Sequence, residues 1–346
     1  MGIFDRTNGK EHVRVLAICA AVGTALLSFV PSGFWLNGAA APEKQLYAVL
    51  LKQLLTVLLL AFVPALWARL AHRTKPWILL FLTGLAFGGG LFFTNSVPGA
   101  LYTVLLIALP GAGLYVLERL RLSNFRVVIY ESLLILAALF GYACLPDLIR
   151  QGDAYVSARW LIRLYEQILD GLGSQYKDAG GEQVLSVLKE QLGLYRMNAE
   201  AITVSVLMIP AMTAGLLNTL ASHRLNRDGA VALSALPRFS DWRCERWYVL
   251  MAAALSLVTL LLQLFGAQHA DALSSVAESL WRMPCALAGV CAVRRIAERI
   301  GKTWIFWFAI GLLFLLPSIT IMILSLLGAL SSLRGHMHIG EDGVRK

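Results

Sequence analysis

The chain has 346 residues, 58% of them hydrophobic and 15% charged, with a mean hydropathy of +0.68. Soluble domains carry about 25% charged residues, so this composition excludes a water-soluble globular protein and points to an all-α, polytopic membrane bundle. The net charge of +9 suggests a polyanionic partner at first sight, but its distribution along the chain argues against nucleic acid.

Crossing ~30 Å of hydrocarbon takes about 20 apolar residues, and only helices satisfy a lipid-facing backbone from within one segment. Nine segments qualify: 13–30, 46–67, 77–93, 97–117, 127–145, 199–220, 247–265, 273–293 and 304–330. The segments 1–14, 68–76, 118–126, 221–246 and 294–303 hold eighteen Lys and Arg, whereas the short alternate loops 31–45, 94–96 and 266–272 hold Lys44 alone. Basic loops stay inside, which predicts a cytoplasmic N-terminus in a bacterial inner membrane. The basicity reports topology.

The first segment has a charged start and is followed by GAAA at 38–41, as in a signal peptide. Its apolar run is long for that role, and an uncleaved helix is expected. Ala17, Ala21 and Ala25 form a row of small residues on it, and Gly84 and Gly88 form another on the third segment. Such rows let helices approach closely, within one chain or between chains. Lys52 lies ~9 Å below the outer end of the second segment, where its stem can snorkel to the surface. Glu131 sits about one turn from the inner end of the fifth and can pair with Arg126 or Arg121.

Residues 146–198 separate an N-terminal block, 1–145, from a C-terminal block, 199–346. Trp160, Leu161, Leu164 and Ile168 recur at helical steps, as do Val184, Leu185, Leu188, Leu192 and Tyr195. This predicts an extracytoplasmic amphipathic hairpin turning at 173–181, either resting on the membrane face or serving as a lid or docking site. Asn218 reads as a cap or an interhelical hydrogen bond.

The eighth segment carries Glu278 and Arg282. Twenty-two residues lie between Asp271 and Arg294, about 33 Å of helix, so a span starting after Arg282 is too short. Both charges therefore lie in the membrane, four apart on one helix face, where they can pair. Pro284 removes the donor for the Leu280 carbonyl, leaving an open acceptor beside the pair. With Lys52, these charges fit a shallow cavity opening outward. The ninth segment, interrupted by Pro317, is expected to cross once with a kink, placing the tail 331–346 outside.

The sequence contains no nucleophile–base set or phosphate-binding glycine loop, and the five cysteines form no CxxC pair. His336 and His338 lack a third ligand. No enzyme activity, metal or other cofactor is expected.

The stretch LMIPAMTAGLLNTLASHRL at 207–225, followed by LPRFSDWRCERWYVLMAAA at 236–254, resembles the YybS-like family of bacterial membrane proteins. Phe239, Trp242, Arg243 and Trp247 carry the resemblance, and they make physical sense as an interfacial anchor. The family pattern has a proline after its Trp-Arg pair, where this chain has Cys244 and Glu245. The family is similar in hydropathy to the S components of energy-coupling-factor transporters, which bind small molecules in an outward-opening bundle. Those components dock a shared membrane subunit through an alanine row. The resemblance implies uptake of a small molecule, with Glu278, Arg282, Lys52 and Glu131 as ligand-binding candidates and Ala17, Ala21 and Ala25 as the interface. The alternative is a non-transporting scaffold or accessory subunit of an envelope complex.

Overall fold

Prolines punctuate the chain where its helices begin. Pro42, Pro64 and Pro98 stand in the first turns of three helices and Pro317 opens a fourth, positions where a missing N–H costs nothing. In a computed structural model describing residues 4–33, 41–175, 182–226, 233, 236, 238–267 and 270–337, the order is α1 (Phe4–Gly33), α2 (Pro42–Leu60), α3 (Val63–Arg73), α4 (Ile78–Thr94), α5 (Val97–Arg119), α6 (Asn124–Gln151), α7 (Val156–Gln175), α8 (Glu182–Met197), α9 (Ala199–Leu225), a 3-10 turn (Phe239–Asp241), α10 (Arg246–Leu264), α11 (Ala270–Ile300), α12 (Trp304–Leu315) and α13 (Pro317–Met337). No strand occurs among the described residues. The all-α polytopic bundle stands.

The count of nine crossings is not confirmed. Among the described residues seven helices are long and apolar enough to cross a membrane, α2 and α3 counting together, against the nine segments expected. The third segment forms the 17-residue α4, about 26 Å long. The ninth is not one kinked span. It breaks at Leu316 into α12 and α13, and Thr320 Oγ1 donates to the Leu312 carbonyl across the break at 3.0 Å.

The start of α12 and the end of α13 lie together. Phe306, near the start of α12, has Arg294 over its ring at 5.3 Å. Near the end of α13, Ser331 accepts from Arg295 Nη1 at 3.4 Å and Ser332 from the Cys244 backbone at 3.0 Å. The twelve residues of α12 reach only ~18 Å. The segment folds back as a helical hairpin to the Arg294–Arg295 end of α11 instead of running on as one kinked helix.

The chain divides into two units: Met1–Leu122 with Tyr130–Leu233, and Ser123–Ile129 with Ser234–Lys346. In the first, Trp67 is fully buried and donates from Nε1 to Thr24 Oγ1 at 2.8 Å. Gly111 lets α5 approach its ring, since a Cβ there would sit 2.7 Å from Cε3. The hairpin of α7 and α8 forms as expected, and Lys189–Asp170 at 2.6 Å and Arg196–Glu166 at 3.1 Å tie it together. Its turn at 176–181 lies outside the described residues.

In the second unit, α10, α11 and α13 enclose Cys244, Val249, Cys285, Ala288 and Ala329. The closest approach is backbone to backbone: a Cβ on Gly289 would collide with the Leu324 carbonyl, and one on Gly328 with that of Cys285. Small residues supply such crossings because van der Waals contact, not water release, holds helices together in lipid.

Candidate functional site

Glu278 and Arg282 form the expected ion pair on α11. Their side chains remain 48% and 38% exposed, about 12 Å and 18 Å along the helix from its first residue. The backbone beside them is closed. Tyr248 Oη donates to the Leu280 carbonyl at 2.5 Å, so the acceptor that Pro284 frees is occupied, contrary to expectation. Ser325 Oγ donates to the Arg282 carbonyl at 2.9 Å. Neighbouring helices thus fix the backbone while the two charged ends stay open.

The first unit holds a second polar set, and it is closed. Arg69, fully buried on α3, donates to Asn226 Oδ1 at 2.6 Å and to the Ser222 carbonyl at 3.0 Å. Ser222 Oγ in turn donates to Glu118 on α5. His72 Nε2 lies 3.0 Å from the other Glu118 oxygen, a contact that becomes a hydrogen bond only when one of the two atoms carries a proton. Asn218 on α9 donates from Nδ2 to the Leu60 carbonyl at 2.8 Å and to Glu131 Oε1 at 3.4 Å. The Leu60 carbonyl is open because α2 ends there and Pro64 has no N–H to give it. Asn218 is thus the interhelical hydrogen bond its position suggested.

Glu131 is fully buried. Its pairing with Arg126 does not form: Arg126 Nε binds Glu245 Oε2 at 2.7 Å. Glu245 also accepts from Ser123 and from Trp247 Nε1. Burial alone would raise its carboxyl, but these three hydrogen bonds hold it below the usual carboxylate value. The four anchor residues separate: Trp242 is buried, Arg243 and Trp247 half-buried, and Phe239 exposed.

Lys52 is half-buried on α2, and its carbonyl accepts from Thr56 Oγ1 at 2.8 Å. Along the alanine row, Ala17 packs on the core of the first unit, Ala21 is half-buried and Ala25 is exposed. Gly84 and Gly88 face open space. His338 lies outside the described residues, as does the side chain of His336. No group of three His, Cys, Asp or Glu among the described residues could hold a metal.

Sequence reasoning missed Arg69, His72, Glu118, Ser222 and Asn226. Arg69, His72 and Glu118 stand where hydropathy falls at helix ends and read as flanking loop charges. A usable signal was present: Arg69 and His72 are three apart, on one face of a helix that continues past its apolar window.

The chain belongs to the family described as predicted membrane protein (DUF2232), which matches residues 46–330. No curated protein and no solved structure matches it.

Proposed function

We propose that this DUF2232 protein is a membrane subunit that recognises a small polar solute for uptake, Arg282 meeting an anionic group and Glu278 holding Arg282 in place. One observation carries the reading: the ion pair lies within a membrane-spanning helix with both charged ends open. A charge near the bilayer centre costs at least ~2.5–3.5 kcal/mol, so this surface calls for a polar cover that lipid does not provide. Lys52 is a further ligand candidate. The similarity of the YybS-like family to transporter S components supports uptake, and the partly open row at Ala17, Ala21 and Ala25 suits docking to a transporter subunit. The basic helix ends support a bacterial inner-membrane location with the N-terminus in the cytoplasm.

Native mass spectrometry of the wild type, Arg282→Ala and the double variant Glu278→Gln with Arg282→Met tests this. A co-purifying metabolite should appear with the wild type alone while all three proteins stay monodisperse. A double variant that keeps its bound molecule would make the pair a clamp between helices.

A scaffold or accessory role in an envelope complex is the second reading. It is favoured by the exposed apolar residues Val187, Leu188, Leu194 and Tyr195 on α8. Ala21→Leu separates the two: it should abolish co-purification of a transporter subunit. Failure to recover any such subunit with the wild type favours the scaffold.

A further inference from the structure

We propose that Glu131 is the centre of a proton-binding site inside the first unit, loaded and unloaded as the protein works. The site is independent of any solute recognised at Glu278 and Arg282. Its Oε1 accepts from Asn218, and its Oε2 has no hydrogen-bond partner among the described residues. That oxygen lies beside α5 at Gly113, where an added Cβ would stand 3.9 Å away.

Asn218 cannot turn its amide to help. Its Nδ2 is committed to the Leu60 carbonyl, and its Oδ1 is a second buried acceptor with no partner among the described residues. An unsatisfied buried polar group is costly, and more so when it is charged. A proton on Glu131 cancels the buried charge and turns its partnerless acceptor into a donor. The step is a carboxylate taking up H⁺ to become a carboxylic acid, with nothing oxidised or reduced. A metal cation needs a shell of several oxygens, and this site offers two free ones.

The charged group that acts on it is Glu118 on α5; around Glu118 stand His72 on α3, stacked on Tyr115 of α5, Arg69 on α3 through Ser222, and His223 on α9. On α2 the neighbour is the neutral Leu60 carbonyl. Glu118 follows Gly113 by five residues, about 7.5 Å along α5. A proton gained or lost at Glu131 therefore changes the field at the His72–Glu118 contact, which itself needs a proton between its two atoms. Proton binding is thereby linked to how α3, α5, α6 and α9 are held together.

The test is infrared spectroscopy of the full chain in lipid nanodiscs. Exposed carboxyls are ionised at neutral pH, so a carboxylic-acid C=O stretch at pH 7 reports a buried one, and Glu118 and Glu131 are the buried acids among the described residues. The band should be present in the wild type, absent in Glu131→Gln, retained in Glu118→Gln, and lost as pH rises. Should Glu131→Gln not fold, Glu118→Gln decides alone: persistence of the band supports the site and its loss overturns it. Absence of the band from the wild type, or its removal by Na⁺ at constant pH, also overturns the proposal.

Discussion

Arg69 and Arg282 are both arginines on membrane-spanning helices, and the two units treat them differently. Arg69 is fully buried, and its guanidinium is engaged by Ser222 and Asn226. Arg282 keeps 38% of its side chain open, with Glu278 on its own helix as its ion-pair partner. In the first unit the helices enclose the charge and answer it with neutral groups and Glu118. In the second they secure the backbone around the charge and leave the charge itself available. A closed network of this kind serves the protein's own states, whereas an open pair awaits something from outside.

That contrast breaks most easily at Arg69. Replacing it with Met takes away the hydrogen bonds that Arg69 gives to the Ser222 carbonyl and to Asn226 Oδ1. It also removes the positive charge joined to Glu118 through Ser222. Removing one partner from a buried charged network costs on the order of 3–5 kcal/mol. Chemical unfolding in detergent should show a loss of that size; a loss below about 1 kcal/mol would mean that water reaches the network.

The same contrast has a packing form. A methyl on Gly289 meets the Leu324 carbonyl, and backbone cannot swing away as a side chain can. Gly289→Ala should cost about 1–3 kcal/mol. Gly84→Ala, which enters open space, should change stability by no more than about 0.5 kcal/mol. Equal losses at the two positions would show that α4 is covered by something beyond this chain.

These pairs also show what the sequence could say. Hydropathy located α1, α5, α6, α9, α10 and α11 because a crossing helix must be apolar over its length. It could not say which way a polar residue faces. Glu278 and Arg282 stood out because they interrupt an apolar run; Arg69, His72 and Glu118 did not, because they stand at helix ends where charges are ordinary. Gly84 and Gly88 matched a packing motif and pack on nothing in this chain, while Gly289 and Gly328 lie on different helices and share no local pattern. The return of α13 was hidden for a related reason. A 27-residue apolar run reads as one crossing, and only the placement of Phe306 and Ser331 at the same end of α11 separates a hairpin from a span.

A smaller effect is expected at the helix entry around Glu245. Three donors hold its carboxyl below the usual value. A carboxylate depressed in the folded state contributes stability that is full above its unfolded value and is lost as pH falls through the folded one. The wild type should therefore lose stability on acidification through that window. Glu245→Gln should start less stable at neutral pH and show a flatter acid limb in thermal melts at stepped pH. An unchanged acid limb would assign the wild-type loss to other carboxylates.

The smallest effect in detergent should come from the open pair. Glu278 and Arg282 are four apart on one helix and nearly half exposed, and exposed pairs of this kind are worth about 0.3–0.5 kcal/mol. Arg282→Ala should therefore barely shift the melting temperature in detergent, where water reaches the carboxylate left behind. In lipid nanodiscs the same variant loses its polar counterpart within hydrocarbon, and the cost should rise toward the ~2.5–3.5 kcal/mol of an uncompensated intramembrane charge. Glu278→Gln with Arg282→Met removes both charges and should erase that difference between the two media. A large loss for Arg282→Ala already in detergent would place the pair in the same class as Arg69, closed and structural, and the two units would no longer differ.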